Sequence, residues 1–430
     1  MRNLPIILFI GFCFMLNAQK KMSVDEAISI ALKHNFDIQV AHNESEIAKI
    51  NNTLGNAGML PTLDIIGSAN YELKQVSQTL QNGTVNNFNA VSGSSLNAGA
   101  QLSWLLFDGG KMFVSKRKLN EIQSLGEIQF KNQVQSVIFQ LIAAYYNLVR
   151  QKQQLISINE VLKYNKERVK IAEIAFKAGS LLKSDLLSAR IDLNVLMENA
   201  INQEFDIQAS KKALNILLAL NPSNEIETDD SIPLMFNPEK NELKDKLFQK
   251  NASILSTEKK IDISRLELKE NQRAYLPTFN IKGGYYFSQS NNSQGTTLKN
   301  SSLGPQIGGT LTIPLYSAGE NQRKTAASKV QLSTNETDLE QIKLQLTAEF
   351  ENTFSNFENQ QKLFEIEKEN NQLAKENLEI SLQRLRFGQT TSLEVRQAQT
   401  DYVQSSTRLI NFQYNLKIAE SKLKKLVAGV

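Results

Sequence analysis

The sequence predicts an α+β membrane protein built by internal duplication, in which each chain supplies four membrane strands and two long helical hairpins. Three observations carry this reading. The chain repeats itself at a fixed offset: Gly110 and Gly319, Gly179 and Gly388, Ala189 and Ala398, and Asp192 and Asp401 are each 209 residues apart (319 minus 110, and so on). After two Leu-Pro-Thr segments, Leu60-Pro61-Thr62 and Leu276-Pro277-Thr278, the apolar period changes from helical to two. Proline-free helical patterns then run from Gly110 to Phe176 and from Gly319 to Leu385. A repeat this long marks a duplicated structural half, not a short solenoid unit.

Residues 1–18 read as a secretory signal, with Arg2, an apolar run from Leu4 to Leu16, and Asn17-Ala18 before the cleavage point. Cys13, the single cysteine, is expected to leave with it. The mature chain then has neither a disulfide nor a lipid anchor on cysteine. No later run of about 18 apolar residues exists, so any membrane crossing falls to strands. The formal charge of +4 becomes +3 without Arg2, and lysines and glutamates alternate along the helices. That pattern argues against nucleic acid as a partner.

The first half is assigned to 19–220, a linker to 221–240 and the second half to 241–430. Ser23 and Glu26 form a capping box for an opening helix with Val24, Ala27, Ile28, Ala31 and Leu32 on one face. Asn237 and Pro238 are expected to cap its counterpart, which carries Leu243, Leu247 and Ile254. Leu63, Ile65, Gly67, Ala69, Tyr71 and Leu73 alternate with Asp64, Ile66, Ser68, Asn70, Glu72 and Lys74, and Phe279 to Phe287 repeat the pattern. The returning strands place Leu96 to Leu106 and Ile307 to Leu315 at alternate positions. This gives β-hairpins over 61–107 and 277–316, with solvated loops expected at 81–95 and 289–302. Pro61 to Gly110 spans 49 residues and Pro277 to Gly319 spans 42, and the surplus of seven is assigned to the first loop.

The 67-residue patterns each correspond to about 100 Å of unbroken helix. Each continues through a glycine, Gly179 or Gly388, into a second helix, making helical hairpins over 110–220 and 319–427. Four strands cannot close a barrel, and no open edge may face lipid, so several chains must share one.

The opening at Ser23 to Ala31, the two Leu-Pro-Thr starts, Trp104-Leu105-Leu106-Phe107-Asp108-Gly109-Gly110, its partner Ile313 to Gly319, and the two tips resemble the TolC family of outer-membrane efflux proteins. The resemblance spans nearly the whole mature chain. It implies a homotrimer with a twelve-stranded barrel in outer-membrane lipid, continued by an α-helical barrel across the periplasm. It further implies a passive exit duct of a tripartite efflux or type I secretion system, docked to a periplasmic adaptor and an inner-membrane transporter. The hairpin tips, Gly179-Ser180-Leu181 and Gly388-Gln389-Thr390, are by that resemblance the adaptor-docking surface. Asp185 and Glu394, at equal offsets from the tip glycines, become candidates for a carboxylate ring about two turns into the helices, at the periplasmic gate, with Gln397 standing where the family often has a second acid. The same two carboxylates also fit ordinary solvated helix charges.

Trp104, Phe107, Tyr275 and Tyr316 flank strand ends, as an interfacial aromatic belt or as packing of the strand-to-helix junction. His34 and His42 share a helix without clustered carboxylates or thiols, a poor metal site. No phosphate loop, His-Glu-x-x-His or Gly-x-Ser-x-Gly motif is present, so neither enzyme activity nor a cofactor is expected. The competing reading is a periplasmic coiled-coil scaffold or adaptor whose strands form a soluble sheet. A duct leaves one apolar strand face uncovered; a soluble sheet buries it.

Overall fold

The computed structural model describes residues 21–295 and 297–429, so the signal segment and Cys13 lie outside the described residues. In chain order the elements are α1 (Val24–His34), α2 (Phe36–Asn51), β1 (Thr62–Thr79), β2 (Val85–Asp108), α3 (Lys111–Lys177) and α4 (Lys183–Leu217). They are followed by α5 (Lys240–Lys250), α6 (Ala252–Arg273), β3 (Thr278–Asn292), β4 (Lys299–Thr312), α7 (Glu320–Arg386) and α8 (Ser392–Leu426). Among the described residues two compact units result, one from 21–41, Lys131–Asn251 and 344–429, the other from His42–Phe130 and Ala252–Lys343. Each unit draws on both halves of the repeat, so the halves are not the units.

The repeat holds to the residue through the helices. α3 and α7 both have 67 residues and α4 and α8 both have 35. Both hairpin tips turn in the same way: Gly179 (φ 76°) and Gly388 (φ 67°) adopt the left-handed conformation. Ser180 N–H reaches Ala175 O at 2.9 Å, and Gln389 N–H reaches Arg384 O at 2.8 Å. These six-to-one bonds close the helix carbonyls, which is what a glycine at this position permits.

In the first unit the capping box of α1 is formed, with Ser23 Oγ accepting from Glu26 N–H at 3.1 Å and the Glu26 carboxylate accepting from Ser23 N–H at 3.2 Å. Each opening stretch is two helices, broken at Asn35 and Asn251. Their side-chain amides donate to Leu217 O and Leu426 O, each at 2.9 Å, and so close the ends of α4 and α8. The two asparagines are 216 apart (251 minus 35), the repeat offset plus the seven-residue surplus of the first β-hairpin. The expected Asn237-Pro238 cap is not formed: α5 starts after Glu239, which offers no side-chain cap.

Residues 221–240, the stretch between the two halves, pack as a strap. Ile226, Thr228 and Ile232 alternate into the core formed by Leu141, Tyr145, Leu148 and Leu214. Tyr145 Oη donates to Met22 O at 2.8 Å and accepts from Asp229 N–H at 3.1 Å, tying the strap to the start of the described chain. Lys211 Nζ meets Glu227 at 2.7 Å and Glu225 at 3.1 Å, and Lys152 Nζ meets Asp230 at 2.7 Å. Although burial pushes the Glu227 carboxyl up, Lys211 and Lys152 outweigh it and hold it below its ordinary 4.5. Hydrogen bonds from Lys152 and Lys21 likewise depress Asp230.

A carboxylate depressed on folding contributes stability above its unfolded pKa and loses it as pH falls through the folded value. Strap amides such as Asp229 N–H are therefore expected to lose hydrogen-exchange protection, corrected for intrinsic rate, as pH drops from about 5 to about 3. Unchanged protection factors across that window would show that these ion pairs do not hold the strap.

The second unit contains one antiparallel sheet in the order β1-β2-β3-β4. Its strands are longer than the alternation suggests. The residues expected as a loop at 81–95 are mostly strand, since β1 and β2 pair out to Thr79↔Val85. β3 runs on to Asn292 and β4 begins at Lys299, so much of 289–302 is strand as well. The seven-residue surplus therefore lies in the strands: β1–β2 pairing continues beyond Gly93↔Asn292, where β2–β3 pairing stops. β4 ends at Thr312, so Ile313 and Leu315 fall outside it, where Pro314 has no N–H for a ladder.

Candidate functional site

Directly opposed residues of antiparallel strands point to the same face, so the register sorts the sheet into two surfaces. One carries Leu63, Ile65, Tyr71, Leu96, Leu102, Tyr285, Phe287, Leu303 and Ile307. Ile65 is 91% exposed and Ile307 84%. The opposite surface carries Asp64, Ser68, Asn70, Asn97, Gln101, Ser288, Ser302 and Gln306. Alternate β3 positions from Phe279, opposite Leu311, to Gln289, opposite Leu96, give five steps of about 6.8 Å. Foreshortened by a strand tilt of roughly 40°, the apolar band is about 26 Å tall, the height of a barrel's lipid-facing band. The scaffold reading required this face to be covered within the chain, and it is not.

β1 and β4 are the free edges of the sheet. At the ends of its strands Trp104, Phe107, Tyr275 and Tyr316 are all exposed. Trp104 also donates its indole N–H to Met59 O at 3.0 Å.

In the other unit, the tips present Ser180, Gly388 and Gln389 to solvent, with Leu181 and Thr390 half-buried. A Cβ built on Gly179 or Gly388 meets nothing within 4 Å, so both glycines face open space. Asp185 and Glu394 lie in the first turns of α4 and α8, nearer the tips than the two turns expected. There each carboxylate faces the positive end of its helix. The two are held differently: Glu394 is bonded by the Thr390 hydroxyl, and its N–H is capped by Thr391 Oγ1 at 3.2 Å, whereas Leu182 gives α4 no side-chain cap. Gln397 lies one turn on and donates to Asp401 at 2.9 Å. A second acid thus does follow Glu394 on the same face, one turn beyond the position where the sequence has glutamine.

Sequence reasoning missed the residue that joins the two hairpins. Arg168 of α3, its side chain 3% exposed, bonds Asp192 of α4 at 2.8 Å and Ser392, the first residue of α8, at 3.3 Å. The repeat places Asn377 opposite Arg168, and that mismatch is the signal that singles it out. A second crosslink centres on Glu160 of α3, which accepts from Lys375 of α7 and Tyr402 of α8, each at 2.7 Å. Burial raises the Glu160 carboxyl, but these two donors prevail and hold it below its ordinary value.

The model of the outer membrane efflux protein family matches residues 27–220 and 243–429. The chain belongs to that family. It is an outer-membrane exit duct, and the stretch between the two matched segments is the strap with the first turn of α5. The protease secretion protein PrtF of Dickeya chrysanthemi is 20% identical over 96% of this chain and 90% of its own. The outer membrane protein TolC of Escherichia coli is 20% identical over 98% and 85%. Among solved structures, the CmeC outer membrane channel of Campylobacter jejuni superposes with a TM-score of 0.79 at 19% identity, covering 94% of this chain and 85% of that one. VceC of Vibrio cholerae gives 0.76 at 16%, over 94% and 96%. The fold class expected from sequence is therefore the one observed, with four barrel strands per chain and duplicated long helical hairpins.

Proposed function

We propose that this efflux duct acts as a homotrimer whose twelve strands form one barrel, and that it conducts cargo passively between an inner-membrane transporter and the exterior, with a periplasmic adaptor docked on the tips. The observation that carries this reading is the sheet: two free edges, one lipid-compatible face and one mostly polar face. Closing the β4 edge of one copy on the β1 edge of the next removes every open edge from lipid. The open space around Gly179 and Gly388 supports docking at the tips. Asp185, Glu394 and Asp401 supply the acidic residues of a gate, with Gln397 holding the Asp401 carboxylate. Cleavage of a signal near Ala18 belongs to the same reading. The relatives include proteins whose names refer to protease secretion and to efflux, so both polypeptides and small molecules are within reach of such a duct.

Purified oligomers in planar bilayers are expected to conduct ions, and absence of conductance from folded oligomers sinks the reading. For the tips, Gly388→Val forces a β-branched residue into the left-handed region, a local strain of about 1–2 kcal/mol. It leaves the sheet untouched, so assembly should persist while export in cells falls severalfold. Full export by assembled Gly388→Val trimers removes that glycine from docking.

A further inference from the structure

On the polar face of the sheet, between the rungs of Asp64 and Ser68, one rung carries an aliphatic and an aromatic side chain. It runs Ile66, Gly99, Tyr286, Gly304 across β1, β2, β3 and β4. A Cβ on Gly99 would lie 2.6 Å from Tyr286 Cδ1, and one on Gly284 would lie 2.8 Å from its Cζ and hydroxyl. The tyrosine ring is therefore laid flat over two glycines, with its hydroxyl donating to Gln101 Oε1 at 3.2 Å. Tyr286 is half-buried and lines an open recess, and a Cβ on Gly304, its neighbour in the rung, would meet nothing within 4 Å.

The next rung is polar and already ordered. Ser288 Oγ donates to Asn97 Oδ1 at 2.6 Å, and Asn97 Nδ2 donates to Ser68 Oγ at 3.3 Å. Ile66, Tyr286, this rung and Gln306 enclose a cavity of about 340 Å³, the size of one aromatic group with its adjoining amide. Among the described residues of the sheet's polar face, this is where an aromatic ring and an aliphatic side chain flank a glycine in one rung.

We propose that this recess is a transit site on the inner wall of the barrel for a planar aromatic group carrying an amide, as in an aromatic residue of an exported polypeptide or an uncharged aromatic compound. The ring of the cargo stacks on Tyr286 and against Ile66, while Gln306 and the Ser68 hydroxyl bond its amide. The two glycines hold Tyr286 flat before cargo arrives, so little side-chain freedom is lost on contact. The site rests on the assignment of the polar face to the lumen. It slows aromatic groups in passage and does not anchor them, because one ring face and a few hydrogen bonds are all it offers.

The test is single-channel recording with N-acetyl-tryptophanamide, and separately N-acetyl-leucinamide, added on the side of the extracellular mouth. The aromatic probe is expected to block current at roughly fivefold lower concentration than the aliphatic one, the preference one stacking contact provides. Tyr286→Leu keeps a large apolar side chain over the glycines and is expected to abolish that preference. Ile66→Thr should reduce it. The inference is overturned by equal blockade by the two probes, or by an undiminished preference in Tyr286→Leu. Loss of all conductance in the parent protein, by contrast, overturns the duct reading itself.

Discussion

Ile65→Arg is expected to prevent stable barrel assembly in the outer membrane, while Ser68→Arg, three residues along the same strand, assembles as the parent does. Ile65 sits near the middle of the apolar band, level with Ala100, Tyr285 and Pro305. An arginine at the lipid-facing midplane of a barrel costs about 2–4 kcal/mol, and a trimer incurs that in each copy, about 6–12 kcal/mol in all. Ser68 is on the mostly polar face beside Asn97, where an arginine side chain remains in water. Membrane fractionation with heat-modifiable gel mobility reads both variants. Equal assembly of the two means the sheet has no lipid face, and the scaffold reading returns; failure of both points to local disruption of β1.

Much of this architecture is legible in the sequence because it is encoded by short-range signals. Helix periodicity, the tip glycines and the Ser23-Glu26 box need only neighbours within a turn or two, and all are where the sequence puts them. The ends of the strands are less legible. Gln81 to Ser95 is rich in Asn, Ser and Gly, which read as loop, yet cross-strand pairing carries the ladder through most of them. The strap was obscured in the same way: Asn, Pro, Asp and Ser around it suggest a linker, while the period-two set Ile226, Thr228, Ile232 is what buries it. At the candidate gate, the positions of Asp185 and Glu394 follow from the repeat. Arg168 does not, because its partners Asp192 and Ser392 are 24 and 224 residues away and only the fold unites them.

Gly284→Ala, a change of one methyl group, is expected to be nearly as damaging as a charge in lipid. Its Cβ would stand 2.3 Å from the carbonyl oxygen of Ala100 on the neighbouring strand, in addition to its contact with the Tyr286 ring. A ring at the end of a rotatable side chain can swing aside, but a backbone carbonyl in a ladder can move only if β2 and β3 part. Overpacking of this kind costs about 1–3 kcal/mol per copy before any strand separation is counted. The location makes the cost worse, because β2–β3 is the pairing that joins the two repeat halves. If it opens, each chain presents two separate hairpins, marginal by themselves and with twice as many edges exposed to lipid. Gly308→Ala is the matched control on β4, where a Cβ meets nothing within 4 Å. The fraction of protein migrating as a heat-modifiable oligomer should fall sharply for Gly284→Ala and stay at the parental level for Gly308→Ala. Adding Tyr286→Leu to Gly284→Ala separates the two obstacles: recovery of assembly would assign the clash to the ring, whereas persistent failure assigns it to the Ala100 carbonyl. The second outcome is expected, since the shorter distance is to the atom less free to move.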